Sequence, residues 1–163
     1  MNRGSTLLVM SVLACCVTAC DSGVAAQSDS SPTSRPAATM KITFKLQDKT
    51  LTGTLHDTPT ARDFASMLPL TLTLEDYARA EKIAYLPRKL TTQGAPAGAG
   101  GSAGAIAYYA PWGNLAMIYK DFRPADGLIV LGEIDGDVKA LSGPGSLEVT
   151  ITALDKHDAG RTE

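Results

Sequence analysis

From residue 42 onward, apolar side chains recur at every second position in short runs. This alternation constrains the fold more than any other feature of the chain. Ile42, Phe44 and Leu46 alternate with polar residues, Leu51 and Leu55 flank threonines, and Leu70, Leu72 and Leu74 repeat the pattern. A period of two sends successive side chains to opposite faces of an extended strand, so each run predicts a strand with one buried face. Ile83 with Tyr85, Ile106 with Tyr108, Leu115 to Tyr119, and Leu147, Val149 and Ile151 continue the series. Leu128 to Ile134 is more continuously apolar, which predicts burial on both faces. Gln47-Asp48-Lys49 joins the first two runs at hairpin length. Many short strands separated by Gly, Pro and Asp turns predict a mainly β domain, a barrel or a sandwich.

One helix interrupts the strands. Asp57 or Thr58 can cap it, Pro59 suits its first turn, and Ala61, Phe64, Ala65 and Leu68 recur at helical spacing before Pro69 stops it. A second helical turn is expected over Asp137–Leu141, ahead of Gly143-Pro144-Gly145. The Gly/Ala tract from Ala95 to Ala105 reads as a long mobile loop. The sum is a closed barrel of about eight strands with one or two short helices.

The first twenty residues carry a different signal. Met1–Thr6 holds one positive charge, Arg3, and Leu7–Val17 is an apolar run of signal-peptide length. That run is short of the roughly 20 apolar residues a spanning helix needs. Val17-Thr18-Ala19-Cys20 resembles a bacterial lipobox, which implies removal of residues 1–19 and acylation of Cys20. Residues 20–39 hold Ser, Ala, Pro, Asp and Gly with no large apolar side chain, the composition of a flexible tether. The expectation is therefore an extracytoplasmic, membrane-anchored lipoprotein. Asp21 looks like the inner-membrane retention signal of enteric bacteria and, where that rule applies, favours the periplasmic face of that membrane. Residues 40–154 then form one domain, and 155–163 a polar tail. Cys15 and Cys16 leave with the leader, so the domain has no cysteine for disulfides or thiol chemistry.

Fifteen basic and 17 acidic residues give a formal charge of −2, which becomes −3 once Arg3 is removed. A mildly acidic chain without Lys/Arg clusters argues against nucleic acid as a partner.

Several segments resemble a known family. These are Asp57-Thr58-Pro59-Thr60-Ala61-Arg62-Asp63-Phe64, Tyr85-Leu86-Pro87-Arg88-Lys89-Leu90 and Gly94-Ala95-Pro96. The most specific is Tyr108-Tyr109-Ala110-Pro111-Trp112-Gly113-Asn114-Leu115-Ala116, followed by Tyr119-Lys120-Asp121-Phe122. They are similar to the recurring segments of bacterial cyclophilin-like fold proteins, and the likeness spans nearly all of residues 40–154. The resemblance implies a closed cyclophilin-like barrel of about eight strands. It does not imply prolyl isomerase activity, because the family is largely without an assigned function. In true cyclophilins an arginine follows a strand and a Gln-Gly-Gly-Asp-Phe motif follows the arginine. Here only Arg88 and Gln93-Gly94 correspond, and the Asp-Phe half is missing.

Arg88 is thus a weak catalytic candidate and otherwise an exposed cation. With Gln93, Tyr109, Trp112 and Tyr119 it makes up the candidate ligand-binding set. Trp112 pairs a large apolar face with one donor and suits a pocket mouth, or else packs over a barrel end beside Pro111. Of Tyr108, Tyr109 and Tyr119, at least one must point inward. Arg62, Asp63, Glu75 and Asp76 read as solvated charges at element ends, with Asp63 favourable in the first turn of the helix.

Gly100-Gly101-Ser102-Ala103-Gly104 matches a serine-hydrolase pattern but lacks the following helix and the downstream partners that pattern needs. His56 and His157 have no ligand-spaced companions, and Asp135-Gly136-Asp137 is a turn, so no metal site and no cofactor are expected. Two function classes follow: a membrane-tethered small-molecule or peptide-binding module without catalysis, and a peptidyl-prolyl isomerase or folding helper acting on extracytoplasmic proteins.

Overall fold

In the computed structural model, which describes residues 39–47 and 49–154, the chain forms ten strands. The expected leader (1–19), the expected acylation site Cys20 with the expected tether as far as residue 38, and the expected tail (155–163) lie outside the described residues. The strands are β1 (Met40–Lys45), β2 (Thr50–Leu55), β3 (Leu70–Tyr77), β4 (Glu81–Tyr85) and β5 (Gly98–Gly101). They continue as β6 (Ala105–Tyr109), β7 (Asn114–Ile118), β8 (Phe122–Asp126), β9 (Leu128–Asp135) and β10 (Leu147–Ala153). Eight close into an antiparallel barrel in the order β1-β10-β3-β4-β7-β6-β9-β2, while β5 and β8 pair as a separate ribbon. Among the described residues, no helix is long and apolar enough to cross a membrane.

The barrel interior is filled by the inward half of each alternation. Ile42, Phe44, Leu74, Ile106, Leu115, Met117, Leu131 and Ile151 are all fully buried there. The apolar run in β9 splits as its composition predicts. Ile129 and Leu131 enter the interior, whereas Leu128 and Val130 join a second apolar cluster on the outer face. That cluster contains Ile83, Ala105, Ala107, Ala116 and Ile118, with Phe122 and Ala125 of β8 packed against it. Small alanines on β6 and β7 leave room for the ribbon to lie on the barrel wall.

The β5–β8 ribbon corrects the expectation of one long loop over Ala95–Ala105. A β-carbon on Gly98 would stand 2.4 Å from the Ala125 carbonyl oxygen, and one on Gly101 would stand 2.2 Å from the Phe122 ring. Only glycine permits so close an approach. Those same glycines carry no apolar alternation, so the strand leaves no period in the sequence.

Helix α1 (Pro59–Ala65) begins as expected, with Thr58 as the cap: its Oγ1 accepts from the Ala61 amide at 3.2 Å. Ala61 and Phe64 join the interior core, and the helix ends at Ala65, three residues before Leu68. The second helical turn is a 3-10 turn over Val138–Ala140, opened by the Asp137 carboxylate accepting from the Lys139 amide at 2.9 Å.

Candidate functional site

The conspicuous surface feature is a cavity of about 310 Å³ on the outer wall of the barrel. Two turns and the β8 strand build it. The β6–β7 turn carries Trp112, and β-pairing sets Tyr109 opposite Asn114 at its base. Gly113 donates back to the Tyr109 carbonyl at 2.8 Å, closing the turn. The Ala110 amide donates to the Gly127 carbonyl at 2.9 Å, which staples this turn to the one between β8 and β9. Gly127 sits at φ +78°, and a β-carbon there would meet Pro111 at 2.8 Å, so glycine is needed for both reasons.

The second wall is the β3–β4 hairpin. Tyr77 pairs with Glu81, and the residues between them include Ala78 at φ 51° and Arg79 at φ 53°. Two consecutive non-glycine residues in the left-handed region cost roughly 1–2 kcal/mol each, and such strain gathers at sites where the chain is held for a purpose. The Tyr77 ring meets Trp112 edge to face at 5.4 Å, and Tyr109 meets Trp112 in the same manner at 5.4 Å. Edge-to-face pairs contribute about 0.5–1.5 kcal/mol beyond burial. Trp112 is therefore fixed between two tyrosines while 44% of it stays exposed. Trp112 lines this outer-wall cavity.

The remaining lining comes from Ala78, Ala80, Phe122, Ala125 and Leu128, together with two polar side chains, Glu81 and Asn114. No Lys, Arg or His lines the cavity among the described residues. Asn114 is 2% exposed, and its Oδ1 is the one buried side-chain polar atom without a hydrogen-bond partner among the described residues. Its Nδ2 donates to the Leu115 carbonyl at 3.3 Å. That bond sets the amide orientation, because the reversed amide would face oxygen with oxygen. Glu81 is half-buried and forms no ion pair among the described residues. Loss of solvent alone raises its carboxyl pKa above the ordinary value.

Of the five residues expected from sequence to bind a ligand, Tyr109 and Trp112 line this cavity, and Arg88, Gln93 and Tyr119 do not. Arg88 follows β4 and is committed to helix α1. Its guanidinium donates to Asp63 Oδ1 at 2.6 Å, to Ser66 Oγ at 3.0 Å and to the Lys89 carbonyl at 3.2 Å. Asp63 Oδ2 accepts from the Thr91 amide at 2.7 Å. Arg88 first, and then that amide, hold the Asp63 carboxyl below the usual carboxylate range. Asp63 is thus the hinge of a polar clamp, not a first-turn helix charge. The Gln93 side chain is exposed, and the backbone N–H of Gln93 donates to Thr91 Oγ1 at 3.3 Å.

Tyr119 packs at the edge of the interior core and donates to Asp76 Oδ1 at 2.5 Å. Desolvation, and then that hydrogen bond, push its pKa up to about 12. Asp76 also lies 3.3 Å from the ammonium of Lys82, which is 2% exposed and donates to the carbonyls of Gly143 at 2.6 Å and Gly145 at 2.9 Å. Asp63 and Asp76, expected as solvated charges, are both engaged. Sequence reasoning missed Glu81 and Asn114 as site residues. Asn114 stood inside the most specific motif but is polar at a strand position that alternation assigns to an outer face.

Among the described residues no cluster of His, Cys, Asp or Glu can hold a metal ion. A family model described as the Cyclophilin-like family matches residues 44–152. The fold is also similar to the solution structure of the hypothetical protein AF2241 from Archaeoglobus fulgidus. The TM-score is 0.55 at 15% identity, over 74% of this chain and 99% of the archaeal one. No curated protein matches the chain. With the match spanning most of the sequence and the eight-stranded barrel in place, the chain belongs to the cyclophilin-like family.

Proposed function

We propose that this domain is a non-catalytic binding module, tethered outside the cytoplasm through acylated Cys20, that takes a small molecule or peptide group in the outer-wall cavity. The observation that carries this reading is a preformed aromatic cavity lined by the unpaired Glu81 and by Asn114, whose buried Oδ1 has no partner among the described residues. An unmet buried acceptor costs about 1–3 kcal/mol, and a donor brought by a ligand removes that cost. The cavity size and mostly apolar lining suit a small ligand held by a few convergent polar groups. The engagement of Arg88 by Asp63 favours binding over prolyl isomerisation, because the one cationic donor candidate is already spent on a structural contact.

Trp112 is the only tryptophan of the chain, so its indole N–H gives one resonance that reports on the cavity. In 15N NMR of the Cys20→Ser chain with mixtures of small aromatic and aliphatic fragments, the Trp112 indole and Asn114 amide signals are expected to shift together. A mixture series that leaves both unmoved contradicts the reading. So does catalysed isomerisation of a proline peptide that disappears in Arg88→Ala. The anchor has its own check: the acyl mass on the mature N-terminus is expected to vanish in Cys20→Ser.

A further inference from the structure

Beside the Tyr77 and Tyr109 hydroxyls and the Trp112 indole N–H, two further polar side chains line the cavity, and these two are not a neutral mixture. Asn114 Oδ1 can only accept, and Glu81, when ionised, can only accept. Neither meets a donor among the described residues, and no cationic side chain lines the cavity beside them. The contrast with the next residue is direct. Lys82 turns to the barrel interior and finds three oxygens, whereas Glu81 turns to the outer wall and finds none. Around the two acceptors stand the rings of Tyr77, Tyr109 and Trp112, whose faces carry partial negative charge.

We propose that the cavity selects a small primary amine in its ammonium form, carried on an apolar or aromatic body. This deepens the binding-module reading and rests on it. The ammonium supplies the positive charge that Glu81 lacks and a donor beside Asn114, whose Oδ1 has none among the described residues, while the body occupies the apolar space beside Phe122 and Leu128. A carboxylate of the same shape meets Glu81 as a like charge and offers Asn114 no donor. A neutral alcohol offers one donor and no charge. The order of affinity is therefore amine, then alcohol, then carboxylate.

The test compares phenethylamine, 2-phenylethanol and 3-phenylpropionate by the NMR shift of the Trp112 indole in the Cys20→Ser chain at neutral pH. Phenethylamine is expected to bind at least about tenfold more tightly than the alcohol, and Glu81→Gln is expected to erase most of that difference while the alcohol affinity stays level. Equal or stronger binding of the alcohol or the carboxylate overturns the amine proposal and leaves the binding-module reading standing. An amine preference that survives in Glu81→Gln overturns it equally. If none of the three binds while other fragments move Trp112 and Asn114, the amine proposal falls alone. If no fragment moves them, both fall.

Discussion

Glu81 and Lys82 are neighbours in β4 that face opposite sides of the barrel wall, and their surroundings could hardly differ more. Lys82 is almost fully buried, yet its three protons meet the Gly143 and Gly145 carbonyls and the Asp76 carboxylate, which is itself held by Tyr119. This cluster ties the loop before β10 to the barrel, and it is closed: nothing in it awaits a partner. Glu81 shares its cavity with Asn114, whose amide oxygen is unpaired among the described residues, and with a turn in which Ala78 and Arg79 both adopt left-handed conformations. The interior side has resolved its polar groups, and the outer side carries unmet ones. A buried polar atom left unmet in a native fold calls for an explanation, and the proposed ligand would supply one.

The comparison predicts that substitutions on the two sides have opposite signs. The largest effect belongs to Lys82→Ala. It leaves two carbonyls and a carboxylate without their cation and is expected to lower stability by about 3 kcal/mol, read from urea unfolding. A loss under about 1 kcal/mol would show that the cluster is no firmer than a surface pair. Ala78→Gly comes next with the reverse sign. Relief of the left-handed strain is expected to raise the unfolding free energy by up to about 1 kcal/mol, and a decrease would mean that the turn is not strained. Asn114→Leu removes the orphan acceptor at similar volume. It is expected to leave the unliganded protein within about 1 kcal/mol of the parent, whereas a loss of several would make Asn114 a structural residue.

The smallest effect, Glu81→Gln, is the most diagnostic because it depends on pH. The folded carboxyl pKa of Glu81 lies above its unfolded value. The stability linked to that shift is fully present below the unfolded value, and it is lost as pH rises through the folded one. Glu81→Gln is therefore expected to gain on the parent as pH rises. Asp63 titrates the other way. Its lowered carboxyl contributes stability above the ordinary carboxylate range, lost as pH falls through the folded value. Unfolding curves of Glu81→Gln and Asp63→Asn against pH should diverge from the parent in opposite directions, and parallel curves would remove the contrast between a paired and an unpaired carboxylate.

Much of this architecture was legible in the alternation. Runs such as Ile42-Phe44 and Val149-Ile151 declare an inner face because one side of each strand must be apolar, and the doubled burial of Leu128–Ile134 declared a covered outer wall. The cover itself was invisible. Gly98–Gly101 pairs through backbone alone, and Phe122–Asp126 mixes Arg123, Pro124 and Asp126, so neither shows a period of two. The site was legible only in its aromatic half. Tyr109 and Trp112 stand out by residue type, whereas Glu81 and Asn114 gain meaning from register, which sets Tyr77 against Glu81 and Tyr109 against Asn114. Arg88 drew attention as a cation after a strand, but its role depends on Asp63, 25 residues earlier, and such pairing has no local signature.

The most direct measurement is the set of intermolecular nuclear Overhauser contacts from bound phenethylamine to the full Cys20→Ser chain. A cavity built to receive an ammonium on an apolar body predicts contacts from the ligand ring to Tyr77, Tyr109 and Trp112, and from its amino-bearing carbon to Asn114. Contacts instead to the Arg88–Gln93 segment, or a spread of weak contacts over the surface with none at Trp112, would contradict it.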